Sequence, residues 1–338
     1  MSEPLLAPGA PLEPMESPRG APVPVTLLTG FLGAGKTTLL NRILNGDHGL
    51  RVGVLVNDFG AVNIDAALVE GVEENTISLT NGCVCCQVRD DLVDSLETLL
   101  LARKDVDYVI IEASGIADPE SVVMTLLDAK YERLMRLDSI ACVVDAAGLF
   151  TDRDNADLAM LKLRQIGFAD LVILNKVDLV APEARTVIHD WINGHFNRVR
   201  IVEAINCEVP YAILLAVGRF DRLSLPQDSG PALHASGTGF ATWHYSTDEP
   251  MSASDLIAAV RHLPESVYRC KGIVLTAEQP ERRGILQAVG RRTSLTYGEP
   301  WDDETPHTDI VAIGAPEEGF GGRLGDIFDG CLARSSDS

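Results

Sequence analysis

The segment Gly30-Phe-Leu-Gly-Ala-Gly35-Lys36-Thr37 restricts this chain to a narrow set of folds. It has the spacing of a phosphate-binding loop, in which a glycine-rich turn offers backbone N–H groups to an anion at the start of a helix. Such a loop needs an apolar strand to feed it and a helix to leave it. Residues 25–29 are apolar and of strand length, and Leu39, Leu40, Ile43 and Leu44 recur on one helix face. Further apolar runs at 52–57, 108–112, 140–145, 171–175 and 200–203 are separated by helical patterns. Runs apolar on both faces predict an α/β fold, a mainly parallel P-loop NTPase sheet flanked by helices. Ligands of such sheets bind beyond the carboxyl ends of the strands.

The polar motifs fall at those ends. Lys36 is expected to reach the β- and γ-phosphates of a nucleotide and the Thr37 hydroxyl to coordinate Mg²⁺, with Gly30, Gly33, Ala34, Gly35 and Thr38 completing the cradle. Glu112-Ala-Ser-Gly115 closes the run at 108–112, where P-loop proteins hold Mg²⁺ through a water-bridged carboxylate and meet the γ-phosphate with a glycine. Glu112 and Gly115 are read in those roles, with helix capping by Glu112 as the plainer alternative. Asn175-Lys176-Val177-Asp178 directly follows another run. A carboxylate at Asp178 accepts two hydrogen bonds from guanine that adenine does not offer in that geometry, so Asn175, Lys176 and Asp178 predict a GTP pocket. Asn57-Asp58-Phe59-Gly60 is read as a first switch, Asp58 positioning the attacking water, binding a metal, or serving as a turn carboxylate. The catalytic set is Lys36, Asp58 and Glu112.

Lys and Arg total 28 against 49 Asp and Glu, a formal charge of −21. Nucleic-acid phosphates and anionic lipid would repel such a chain, so neither is expected as a partner. No apolar span, signal architecture or lipidation motif is evident, which predicts a cytoplasmic protein. The seven cysteines are an odd count with three of them, Cys83, Cys85 and Cys86, crowded into four positions after Gly82. Reduced thiols with a metal or redox task fit better than a secreted disulfide framework. As thiolates at about 2.3 Å, the three would fill three tetrahedral positions around Zn²⁺ and leave a fourth for a carboxylate, water or client ligand. Buried core thiols or a redox dithiol of Cys85 and Cys86 are the alternatives. Cys142, Cys207, Cys270 and Cys331 read as small buried apolar residues.

Along the chain, residues 1–22 lack a periodic apolar face and are expected to form a disordered tail, followed by a P-loop GTPase domain at 23–222 that includes the cysteine loop. Residues 223–239, rich in Asp, Ser, Pro and Gly, read as a linker, and 240–332 as a small α+β domain. In that domain Phe240, Trp243 and Tyr245 suggest a strand, Ser252 with Asp255 a capped helix to about Arg261, and 272–275, 285–289 and 310–313 strands. Trp243, Tyr245 and Trp301 are read as a client-docking surface or, more plainly, as core.

Taken together, Thr29-Gly-Phe-Leu-Gly-Ala-Gly-Lys-Thr-Thr38, Asn57-Asp-Phe-Gly60, Asn81-Gly-Cys-Val-Cys-Cys86, Glu112-Ala-Ser-Gly115 with Ala117-Asp-Pro119, and Asn175-Lys-Val-Asp178 resemble the CobW-type metal-chaperone GTPases. The resemblance continues through Arg269-Cys-Lys-Gly272, Pro300-Trp-Asp-Asp-Glu304 and Pro306-His307. It implies GTP hydrolysis with Mg²⁺, zinc or cobalt bound at the Cys-x-Cys-Cys loop, and transfer of that metal to a client metalloprotein. A nucleotide-responsive metal sensor and a GTP-driven chaperone that moves no metal are the rival readings. Where some members carry metal-binding carboxylates beside the first switch, this chain has Val56 and Ala61, leaving Asp58 and Asp65 as nearby candidates. It also has no histidine-rich stretch; of seven dispersed histidines, His307 beside Trp301 is the first to examine. No arginine is evident as a finger in cis, so acceleration is expected from a client or from a second copy in a homodimer.

Overall fold

The computed structural model describes residues 17, 20–57, 76–79, 87–151, 155–196, 199–215, 241–290, 292–301, 304–315 and 320–333. The first unit contains β1 (Val23–Thr29), α1 (Lys36–Leu44), β2 (Val52–Asn57), β3 (Thr76–Leu79), α2 (Gln87–Ala102), β4 (Tyr108–Ala113), α3 (Pro119–Leu126), β5 (Met135–Asp145), α4 (Ala156–Phe168), β6 (Leu171–Asn175), α5 (Pro182–His195), β7 (Arg200–Ala204) and a short α6 (Tyr211–Leu214). Its seven strands are hydrogen-bonded in the order β3-β2-β4-β1-β5-β6-β7, every pair parallel. This is the expected flanked parallel sheet. β4 and β6 are buried along their whole length, as strands covered on both faces must be.

Helices divide between the two faces. On one, Leu39, Leu40 and Ile43 of α1 and Ile213 of α6 pack on Val54, Ile110, Val143 and Ile173. On the other, Leu96 and Leu99 of α2 and Val122 and Val123 of α3 cover Leu27, Leu55 and Ile111, while Ile166 of α4 and Ile188 of α5 cover Val144 and Val172. Val56 points into the α1 side of this core.

The second unit contains β8 (Ala241–Thr247), α7 (Ala253–Arg261), β9 (Val267–Val274), β10 (Arg282–Val289), β11 (Arg292–Pro300), β12 (Thr308–Gly314) and α8 (Phe320–Asp329). Its antiparallel sheet has the order β11-β10-β9-β12-β8. The capping pair forms as expected, Ser252 Oγ accepting from Asp255 N at 3.3 Å. Trp243 stacks on Phe328 in the core and Trp301 is buried against His307, so those two tryptophans are core and not a docking surface. His307 is tied down structurally: Nδ1 lies 2.8 Å from the Thr305 carbonyl and Nε2 3.3 Å from Asp309.

The second unit docks at the amino ends of the first unit's strands. Arg269 on β9 pairs with Asp138 on β5, and its guanidinium also donates to the Ile213 carbonyl at 2.9 Å. Asp138 accepts from Tyr108 at 2.7 Å, and Tyr108 meets Thr26 at 2.7 Å. Nearer the edge, Arg292 pairs with Asp170, and Arg200 donates to the Leu263 carbonyl at 3.1 Å. These contacts of the described residues all lie away from the carboxyl ends of the strands.

Candidate nucleotide site

β1 ends at Thr29 and the chain turns over its carboxyl end into α1. Gly30 and Gly35 have φ of 134° and 115°, which L side chains rarely adopt. A Cβ on Gly30 would collide with the Val143 carbonyl, and one on Gly35 would lie 2.6 Å from Asn175 Nδ2. The glycines are thus required by backbone conformation and by close approach together. α1 has no acidic residue in its first turn, so its amino end presents N–H groups and a positive dipole end to an anion. Lys36 lies across the loop, buried, donating to the carbonyls of Gly30 at 2.9 Å and Phe31 at 3.3 Å.

Two motifs from distant segments meet this loop. Thr37 Oγ1 donates to Glu112 Oε1 at 3.1 Å, the carboxylate being buried at the end of β4. The helix-capping alternative for Glu112 is not what forms: Asp118 caps α3, accepting from Glu120 N, with Pro119 at the first helical position. A hydroxyl beside a carboxylate is a hard oxygen pair, which fits Mg²⁺. Asn175 joins the loops on either side of it, donating from Nδ2 to the Ala34 carbonyl at 2.9 Å and accepting from Cys207 N at 2.7 Å. Lys176, at φ 62°, extends Nζ to the Gly33 carbonyl at 2.8 Å and to Asp145 at 2.7 Å. Asp178 lies in the following turn with its side chain exposed, and Thr38 is likewise exposed on α1. Gly115 is buried against Leu32.

Gly30, Gly33, Ala34, Gly35, Lys36, Thr37, Glu112, Gly115, Asn175 and Lys176 therefore converge on one edge of the sheet. Asp58, Cys83, Cys85 and Cys86 lie outside the described residues, as do Asp65 and Ala61. Among the described residues, no group of three or more His, Cys, Asp or Glu side chains could hold a metal ion. The four scattered cysteines are all buried. Desolvation pushes the Cys142 and Cys270 thiols up to about 12, and Cys207 and Cys331 up to about 11, which keeps them protonated at neutral pH. Three participants were not singled out from sequence. Asp145 anchors Lys176; its signal was a carboxylate ending an apolar strand, as Glu112 does. Cys207 does more than fill space, its thiol donating to the Gly35 carbonyl at 3.2 Å. Gln165 bonds to the turn after Glu112 and had no sequence signal.

A buried parallel sheet that ends in a phosphate-binding loop, a Thr–Glu pair and an Asn-Lys-x-Asp turn defines a P-loop GTPase. The profile of the CobW/HypB/UreG nucleotide-binding domain matches residues 24–203, and that of the cobalamin synthesis protein cobW C-terminal domain matches 240–332. The chain belongs to the CobW/HypB/UreG family. It is 33% identical over 332 residues to zinc-regulated GTPase metalloprotein activator 1 of Dictyostelium discoideum, covering 84% of this chain and 70% of that protein. It is 31% identical to zinc chaperone YjiA of Escherichia coli K12, covering 88% and 96%, and 31% identical to zinc chaperone CobW of a Sinorhizobium, covering 86% and 92%. No helix among the described residues is long and apolar enough to cross a membrane.

Proposed function

We propose that this chain is a GTP-hydrolysing metallochaperone that carries zinc, or cobalt, on Cys83, Cys85 and Cys86 and delivers it to a client metalloprotein in the cytoplasm. The observation that carries the nucleotide half is the meeting of the Thr37–Glu112 pair and the Asn175–Lys176 contacts on a single P-loop. The relatives named for zinc support the metal half.

In this reading Lys36 exchanges its loop carbonyls for the β- and γ-phosphates, and the amino end of α1 holds the remaining phosphate charge. Asp178 receives guanine while Asn175 keeps the base loop on the P-loop. Thr37 and, through water, Glu112 would hold Mg²⁺, which neutralises phosphate charge when bound. Gly115 meets the γ-phosphate, and Asp58 orients the attacking water. GTP orders the segment from Asn57 to Cys86 and changes access to the thiolates; hydrolysis reverses it. Turnover is accelerated by the client or by a second copy of the chain.

Linkage makes the coupling testable: metal must alter GTP affinity by the same factor by which GTP alters metal affinity. The measurement is zinc affinity of reduced, anaerobic protein with a GTP analogue and with GDP. A difference of about tenfold or more is expected, and equal affinities would falsify the coupling. Lys36→Ala separates a metallochaperone from a passive buffer, because a buffer retains its effect on client activation without hydrolysis.

A further inference from the structure

The turn after Glu112 is gripped from outside its own strand. Gln165 of α4 is buried, and its amide nitrogen donates to the carbonyls of Gly115 at 3.1 Å and Ala117 at 3.2 Å. Its neighbour Arg164, on the exposed side, pairs with Asp118 at 2.8 Å and with Glu120. Lys162, one turn earlier, donates to the Gly148 carbonyl at 2.8 Å and lies over the Phe31 ring, 4.7 Å from its centre. α4 thus touches both the P-loop and the Gly115 turn.

From the opposite side the P-loop presses on the same turn. A Cβ on Gly115 would come within 2.8 Å of Leu32 N and 2.6 Å of Leu32 Cδ2. A cavity of about 240 Å³ adjoins this clamp, bounded by Phe31, Leu32, Val144, Lys162, Gln165 and Ile166. Burial alone would favour leucine at position 165, since an amide taken out of water must recover its hydrogen bonds. The amide recovers them on the two carbonyls of the turn. Across a planar trans peptide, holding the Gly115 carbonyl toward α4 turns the Ile116 N–H away from it.

We propose that Gln165 is a positioning residue of the GTPase reaction, acting through the Gly115 turn. By fixing the Gly115 and Ala117 carbonyls it sets the directions of the Ile116 and Asp118 N–H groups and holds the turn that presents Gly115 to the γ-phosphate. The inference rests on the reading of Gly115 as the γ-phosphate contact.

The test compares wild type, Gln165→Met and Gly115→Ala by GDP affinity, affinity for a non-hydrolysable GTP analogue, kcat, KM and thermal midpoint. Gln165→Met keeps the bulk of the side chain and removes both donors. It should bind GDP as wild type does, lose about tenfold or more in analogue affinity relative to GDP, and lose about tenfold or more in kcat, the pattern of an interaction made in the activated state. Should Gln165→Met fail to fold, Gln165→Asn, which keeps the amide but withdraws it by one methylene, is measured for the same selective loss. Equal losses for GDP and the analogue, or a lowered midpoint with kcat intact, would make Gln165 a merely structural residue and overturn the proposal. If Gly115→Ala itself keeps the wild-type response to the γ-phosphate, the reading of Gly115 fails and this inference with it. If Gly115→Ala loses that response and Gln165→Met does not, only the inference fails.

Discussion

Replacing Arg269 with Met removes a guanidinium from the junction of the two units while preserving much of its bulk. The side chains of Arg269 and Asp138 are each 1% exposed. Desolvation by itself would push the Asp138 carboxyl up, but the charges of Arg269 and Lys271 and the hydrogen bonds from Arg269 and Tyr108 outweigh it, holding the group at about 2 against an ordinary 3.8. That drop corresponds to about 2–3 kcal/mol in favour of the carboxylate. Without Arg269 the carboxylate remains buried, and the Ile213 carbonyl loses its donor. Breaking a buried pair from one side costs about 3–5 kcal/mol. Protonation of Asp138 sets the ceiling, since a carboxyl driven up to the assay pH becomes neutral and adds no further cost. A loss near 3 kcal/mol is therefore expected, together with an independent pH signature. A depressed carboxyl contributes stability that is present above about pH 4 and lost as pH falls through 2, so wild type should lose about 2 kcal/mol across that window and Arg269→Met much less. Urea denaturation at several pH values measures both, with fluorescence of Trp191 reporting the first unit and of Trp243 and Trp301 the second, separated with a Trp191→Phe background. A loss below about 1 kcal/mol at neutral pH, or an unchanged acid dependence, would refute the reasoning.

Lys271 invites the opposite result. Its ammonium nitrogen is buried with no hydrogen-bond partner, and desolvation, then Arg269, drive its pKa well below the ordinary value despite the attraction of Asp138. A lysine depressed in the folded state costs stability wherever the unfolded chain is protonated, and the cost fades as pH rises toward about 10.4. Lys271→Met should be more stable than wild type by on the order of 1 kcal/mol at pH 7 and should lack the alkaline gain in denaturation midpoint. For base choice, Asp178→Asn should lower affinity for guanine nucleotides by about a hundredfold and shift preference toward xanthine nucleotides. An unchanged guanine preference in competition titrations would refute the assigned contact.

The first unit was largely legible because the signal of a buried parallel strand is local. Its six foreseen strands are apolar over most of their length, and β4, β5 and β6 end in or just before Glu112, Asp145 and Asn175, which join the site. β3 escaped because four residues, Thr76–Leu79, carry neither periodicity nor length. β11 escaped for a different reason. Arg292–Pro300 is rich in polar residues and has none that is fully buried, as an edge strand does, and α8 opens with Phe320-Gly-Gly, a poor helical start. The docking of the two units was not legible at all. A charged residue within a strand pattern reads as a solvent-facing position, and Arg269 and Asp138 are buried only because they meet across 131 residues of sequence. Gln165 was silent for the same reason, its carbonyl partners lying 48 and 50 residues away.

That docking decides what each end of the sheet is available to do. Among the described residues the second unit meets the amino ends of β5, β6 and β7 through Asp138, Asp170 and Arg200, opposite the edge where Gly30, Glu112 and Asn175 converge. The same edge carries Leu79, from which the chain departs toward the three clustered cysteines. β3 and β1 are three steps apart in the sheet, so the strand ends launching the cysteine segment and the P-loop are separated by roughly 14 Å. The proposed coupling of about 1–3 kcal/mol between nucleotide and metal is expected to run through the chain that leaves β2 at Asn57, β2 lying between β3 and β4 in the sheet.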